Sequence, residues 1–308
     1  MALPGIVKKA VKPIYHFVHD TLFDTIDYNP LFPNKQGGKK IPRGHISAEH
    51  LANPQLDDQL SDNLVSAGIR VKDFYIEKVG YEAYMAAAKY PESYYGGGFD
   101  SSQNFVEKTL EHYVSTKFID FMPETVFVDI AACTSPFSEN IRSIYGVKTT
   151  YRQDLVFPKG VDNDRIGGYA HEIPLEDNSV DGITLHCSLE HFEGDSDTLF
   201  FQTAERILKP GGRVVVLPFY IADEYTIHLD PVFNLIKGHK PKVDPVAKLR
   251  YCNWYQYFSR HYDVNALQKR ILEAAPGLDL TIYRVRNFKK VHPGSYLRFI
   301  GVFEKKRA

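Results

Sequence analysis

Apolar positions recur at helical offsets in NFVEKTLEHYVSTKFIDF, where Phe105, Leu110, Tyr113, Val114, Phe118 and Ile119 share one stripe, so this stretch predicts an amphipathic helix. From Asp57 to Tyr90 the pattern is also helical, clearest in YEAYMAAAKY, until three consecutive glycines in ESYYGGGFDSS punctuate a turn. After Pro123 the period changes. Short β-branched runs (TVFVDI, VKTTYRQD, VDGITL, RVVVLPFY) alternate with helical segments (SENIRSIYG, TLFFQTAERILKPGG), which predicts β-α units and a mostly parallel sheet. A last helix, YDVNALQKRILEAAP, leads to two strand-like runs, LDLTIYRV and SYLRFIGVFEK. Two strands in succession imply a hairpin, and so one antiparallel member.

The amino-terminal part reads differently. Tyr28 to Pro54 is dense in Pro, Asn, Gly and Lys with no clear period, and predicts a long loop. Ahead of it, GIVKKAVKPIYHFVHDTLF sets apolar residues near helical spacing with Lys8, Lys9 and Lys12 between them. A helix packed on its own domain accounts for this; contact with an anionic membrane surface is the alternative.

Composition narrows the partners. With 37 basic and 38 acidic residues the formal charge is −1, so nothing in the net charge favours nucleic acid. Cys133, Cys187 and Cys252 have no C-x-x-C spacing, which argues against a disulfide framework and fits a cytoplasmic protein. No run of eighteen apolar residues and no secretion signal is present.

The chemistry-bearing segments lie at the ends of the predicted parallel strands, where open α/β sheets bind ligands. TVFVDIAACTSPF places Asp129 at a strand end, followed by Ala131, Ala132, Cys133 and Ser135. It resembles the D-x-G-x-G-x-G motif of class I S-adenosylmethionine-dependent methyltransferases, with Ala131, Cys133 and Ser135 in the glycine positions. Asp154 follows Asp129 by 25 residues, and the resemblance implies that it accepts from ribose hydroxyls. GYAHEIPLEDNSVDGITLHCSLEHF and ERILKPGGRVVVLPFY are similar to further family segments, placing Tyr169 and Ala170 near the adenine. The likeness covers residues 123–308. More narrowly, EKTLEHYVS, IAACTSPF, YRQDL and LHCSLEHFEGDSD look like bacterial methyltransferases found among glycan-assembly genes.

The family implies an α/β, Rossmann-like seven-stranded sheet of order 3-2-1-4-5-7-6 with one antiparallel strand. Here it would follow an amino-terminal helical region, residues 1–122, that covers the acceptor. A substrate-binding insert is expected at about 222–262. The helix usually found after strand two looks truncated, because VFPKGVDNDRIGG contains Pro and Gly. S-adenosylmethionine is the expected cofactor, held by Asp129, Ala131, Ala132, Cys133, Ser135, Asp154, Tyr169, Ala170 and His186. The implied reaction is O-methylation of a sugar or glycan precursor. A small aromatic, quinone or lipid acceptor is the alternative within enzymes; outside them, a catalytically silent binding partner.

HCSLEHFEGDSD follows the fourth family strand. A hydroxyl acceptor must lose its proton, and histidine suits that at neutral pH. His191 is the first candidate base, His186 the second, with Glu190 orienting His191; a strand-end histidine bonded to backbone is the plainer role for either. Asp195 and Asp197 read as the start of a helix, with GDSD as its N-cap. Relatives with E-x-x-E-H metal ligands in this loop have Cys187, Glu190 and His191 as counterparts here, a thiol-bearing set that suits zinc better than magnesium; a metal is the less favoured reading. Tyr94, Tyr95, Phe99, Glu107 and His112 are candidate pocket walls, as are Trp254, Tyr255, Arg260 and His261 in the insert, each against the alternative of ordinary packing.

Overall fold

The chain is seen as a computed structural model that describes residues 14, 15, 17, 35–96 and 103–307. Its strands are β1 (Arg70–Phe74), β2 (Val126–Ile130), β3 (Thr149–Asp162), β4 (Arg165–Gly167), β5 (Val180–His186), β6 (Leu208–Leu217), β7 (Thr226–Leu229), β8 (Lys248–Tyr251), β9 (Ser259–His261), β10 (Leu278–Val285) and β11 (Phe299–Lys305). Eight of them form the central sheet, in the order β1-β10-β11-β6-β5-β2-β3-β4. β11 runs antiparallel to both its neighbours, β10 and β6. The α/β class and the mostly parallel sheet agree with expectation. The sheet has eight strands rather than the expected seven, and differs from the 3-2-1-4-5-7-6 arrangement by β1, added at the β10 edge; the other seven run β4-β3-β2-β5-β6-β11-β10.

β1, with sequence RVKDF, pairs in parallel with β10 at the sheet edge. It lacks the apolar alternation of a half-buried strand, since edge strands tolerate charge on both faces, and it therefore vanished into the helical reading of residues 57–90. Helices α2 (Gln55–Ser66) and α3 (Lys78–Ala87) flank it. The expected long loop over residues 28–54 is also corrected where it is described: Lys35–Gln36 pairs with Lys39–Lys40, and α1 (Ile46–Ala52) follows.

Period-two alternation sends successive residues of the inner strands to opposite faces. On β2, Phe127 enters one core while Val128 and Ile130 enter the other. On β6, Val215 and Leu217 oppose Val214 and Val216 in the same way. Helices α4 (Gln103–Ser115) and α5 (Phe137–Tyr145) cover one face through Phe105, Leu110, Phe137 and Ile141. The other is covered by α6 (Ser196–Ile207) through Phe200, Phe201 and Ala204.

The truncated helix after the second family strand is in fact strand: β3 runs on to Asp162 and pairs with β4. The insert builds a side sheet of order β8-β7-β9 and a helix, α7 (Pro231–Lys237). Residues 36–44 lie along β8, where the Gly44 amide donates to the Tyr251 carbonyl at 2.9 Å and Gln36 bonds the Leu249 amide at 2.8 Å. Of the amino-terminal helix only Ile14, Tyr15 and Phe17 are described, and buried Tyr15 donates to Asp230; Lys8, Lys9 and Lys12 lie outside the described residues. No helix among the described residues is long and apolar enough to cross a membrane.

Candidate active site

At the end of β2 the chain turns sharply, with Ala131 at φ +53° and Cys133 at φ +43°. This is the left-handed region that glycine enters freely and that costs other residues about 1–2 kcal/mol each. The first half of β3 holds the bend in place. Gln153 accepts from the Ala132 amide through its carbonyl (2.9 Å) and from the Ala131 amide through Oε1 (3.2 Å). Asp154 Oδ2 accepts from the Cys133 amide at 2.8 Å, and its Oδ1 from the Val156 amide at 3.0 Å. Ala131 and Cys133 are exposed, and the hollow beside the bend stays open. A cavity of about 220 Å³ remains, walled by Tyr94, Tyr95, Lys108, His112, Asp129, residues 130–135 and His186.

Asp129 lies beneath this bend, 1% exposed. Its Oδ1 accepts from the Thr184 hydroxyl at 2.9 Å and lies 3.3 Å from His186 Nδ1, while Oδ2 closes no hydrogen bond. Burial raises its pKa to about 7. Burial likewise holds His186 well below the usual histidine range. Its Nε2 lies 3.2 Å from Ser115 Oγ, whose own proton goes to the His112 carbonyl at 2.9 Å. Nε2 therefore donates to Ser115, and Nδ1 faces Asp129 Oδ1. Both ring nitrogens of His186 are thereby spent inside the protein.

His191 is placed differently. The 3-10 turn Leu189–His191 after β5 leaves its side chain 46% exposed. Nδ1 donates to the Phe258 carbonyl at 2.5 Å, which fixes the tautomer and leaves Nε2 as the basic nitrogen. Nε2 lies 3.7 Å from Glu190 Oε1, and Glu190 is buried. His191 lines a second cavity of about 550 Å³ together with Ala131, Gln153, Asp154, Tyr169 and Ala170. Ala131 borders both cavities, so the bend divides one groove into two lobes. Tyr169 is half exposed and stacks on His171 at 5.2 Å.

Behind the smaller lobe, α4 presents three charged residues that the apolar stripe did not single out. Lys108 reaches the His186 carbonyl at 3.1 Å and Glu111 at 3.3 Å. Cys187 Sγ donates to Glu111 Oε1 at 2.9 Å, and Glu107 Oε2 accepts from the Tyr296 amide at 3.1 Å. Burial pushes Glu107 up to about 8 and Glu111 to about 7. Of these, only Glu107 was a candidate from sequence; the signal for the others was three charged residues, Glu107, Lys108 and Glu111, within five positions of one amphipathic helix.

The remaining candidates divide. Tyr94, Tyr95 and His112 line the smaller lobe, Glu107 sits behind it, and Phe99 lies outside the described residues. Arg260 is no wall: it is fully buried, 2.5 Å from Asp197. Trp254 stacks on His45 at 4.6 Å and Tyr255 on Tyr15 at 4.4 Å. Asp195 occupies the N-cap position of α6 without making a side-chain cap bond, and instead meets Arg270 at 3.3 Å. Cys187, Glu190 and His191 do not converge as metal ligands; among the described residues the group that does is His45, His228 and His261.

Residues 128–216 match the family model of the methyltransferase domain. No curated protein matches the chain. Among solved structures, the chain is similar to the Burkholderia thailandensis 1,6-didemethyltoxoflavin-N1-methyltransferase with bound 1,6-didemethyltoxoflavin and S-adenosylhomocysteine, at 16% identity and TM-score 0.42, covering 68% of this chain and 80% of that one. It is similar to a Methanosarcina mazei SAM-dependent methyltransferase at 13% identity and TM-score 0.42, covering 63% and 98%. The YcgJ protein of Bacillus subtilis follows at 16% identity and TM-score 0.40, covering 64% and 99%. The matched segment contains Asp129, the bend, Asp154, Tyr169, His186 and His191.

Proposed function

We propose that the chain methylates a hydroxyl oxygen of a sugar or glycan precursor, with His191 as general base. When bound, S-adenosylmethionine supplies the electrophilic methyl carbon. The bend at Ala131, Ala132, Cys133 and Ser135, above Asp129 and His186, would take the methionine part. The lone pairs that Asp154 has left would accept from the ribose, and Tyr169 and Ala170 would border the adenine. His191 takes the proton of the acceptor hydroxyl on Nε2, and Glu190 beside it stabilises the resulting charge.

One observation carries this reading: His191 has its tautomer fixed by the Phe258 carbonyl and its open nitrogen on the cavity that Asp154 and Ala131 also line. His186, with both nitrogens engaged, serves to position Asp129. The placement of Tyr94 and Tyr95 on the smaller lobe supports residues 1–122 as acceptor cover. Three free cysteines support a cytoplasmic setting.

Calorimetry with S-adenosylmethionine and turnover of His191→Ala test the proposal together. The variant should bind the cofactor as the parent does and lose about 10²-fold or more in turnover, the contribution of a general base. Unchanged turnover removes His191 from the chemistry. No binding at millimolar cofactor makes the chain a silent partner.

A further inference from the structure

Away from the groove, the insert and the chain before it bring together three histidines that methyl transfer does not use. His45 is the N-cap of α1, His228 lies within β7 and His261 ends β9. Because β9 runs antiparallel to β7 with Ser259 opposite His228, His261 stands diagonally beside His228 on the same sheet face. The ring centroids are 4.4 Å apart for His45 and His228, 4.5 Å for His45 and His261, and 4.3 Å for His228 and His261. Each ring can offer one nitrogen such that all three lie within 4.8 Å of one another. The Nε2 atoms of His45 and His261 are 3.2 Å apart, close to the ~3.3 Å edge of a tetrahedral site with zinc–nitrogen bonds of about 2.0–2.1 Å.

Hydrogen bonding within the cluster does not account for it. His45 Nδ1 accepts from the Ser47 amide at 3.3 Å, so its Nε2 carries the proton and donates to His261 Nε2. His228 gains nothing from that pair: its Nε2 has only the Ile46 amide, at 3.4 Å. His261 Nδ1 is buried without a hydrogen-bond partner. All three residues are at most 4% exposed, a costly place for polar rings with unfilled bonds. Burial also holds each below the usual histidine range, His45 at about 3. The rings are thus neutral at physiological pH, the form that ligates a metal.

We propose that His45, His228 and His261 form a transition-metal site, zinc by preference, whose ion staples α1 to the side sheet of the insert. Neutral imidazoles suit zinc, copper, iron and nickel, and three of them leave a fourth position for water. Coordination through His45 Nε2 moves that ring's proton to Nδ1 and gives up the Ser47 capping bond.

Trp254, the single tryptophan of the chain, stacks on His45 at an interplanar angle of 11° and reports on this site alone. The untagged full chain, stripped with chelator, is titrated with Co²⁺ while visible absorption and tryptophan emission are followed. One equivalent should bring up the intense ligand-field bands of four-coordinate cobalt and quench most of the emission. Zn²⁺ should then displace the bands, restore the emission and raise Tm by about 5 °C at a hundredfold excess over Kd. The weak spectrum of six-coordinate cobalt, or bands without quenching, overturns the site. So does persistence of both signals in His228→Asn or His261→Asn.

Discussion

Replacing Ala131 and Cys133 together by glycine isolates the conformational cost of the bend. Both residues sit at positive φ, +53° and +43°, and both side chains are exposed, so truncation loses no buried surface. Relief of the left-handed penalty returns about 1–2 kcal/mol per site, while glycine's extra freedom in the unfolded chain takes back about 0.4–1 kcal/mol. The difference is roughly 0.8 kcal/mol per site and ~1.5 kcal/mol for the pair, which for a chain of this length is a rise in Tm of about 2–3 °C. Ala132 is the internal control. It lies between the two, is buried and has no positive φ, so Ala132→Gly should lose about 1 kcal/mol. Scanning calorimetry and urea titration of the two variants give the answer. If the double variant melts at or below the parent, the bend does not hold the conformation described. The same variants, titrated with S-adenosylmethionine, should bind no more weakly than the parent.

Three further perturbations probe the surroundings of the groove. Glu107 has a folded pKa raised by burial from 4.5 to about 8, so the folded chain holds its proton longer than the unfolded one. Its stabilising contribution is complete below about pH 4.5 and is lost as pH rises toward 8; Glu107→Gln should therefore be more stable than the parent by at least about 1 kcal/mol at pH 8 and lose that advantage near pH 4, and equal stability at both pH values in chemical denaturation refutes it. Asp197 is fully buried against Arg260 at 2.5 Å and Arg270 at 2.6 Å, and Asp197→Ala strands two guanidinium groups, at an expected cost of about 3–5 kcal/mol in urea titration. A cost under 1 kcal/mol shows that the ions rehydrate. At Gly301 on β11 an added Cβ would lie 2.8 Å from the Phe219 ring and 3.1 Å from Phe303; Gly301→Ala should lose about 1–3 kcal/mol by overpacking, and a Tm equal to the parent's means the rings move aside.

Much of the sheet was legible because its inner strands are buried on both faces. Val126–Ile130, Val180–His186 and Leu208–Leu217 carry β-branched runs that no solvent-facing helix would. The closing pair, β10 and β11, was equally plain. The edge strand Arg70–Phe74 was not, since an edge with charge on both faces has no period to read. Nor was the division of labour between two histidines five residues apart. His186 and His191 lie in one polar loop, yet Ser115 and Asp129 consume the nitrogens of the first, while Phe258 leaves the second with an open one.

Taken alone, the chain's order of apolar and polar residues determined that a parallel α/β sheet would form and that Asp129 and the HCSLEH loop would fall at strand ends. Burial acts on each segment's own periodicity, which is local. Tertiary structure alone decided that Ala131 and Cys133 could adopt a glycine-like bend, because Gln153 and Asp154 of another strand supply the bonds that hold it. It likewise decided that His45 and His261, 216 positions apart, would meet at 3.2 Å. Such meetings depend on the path of the whole chain, and no window of sequence contains them.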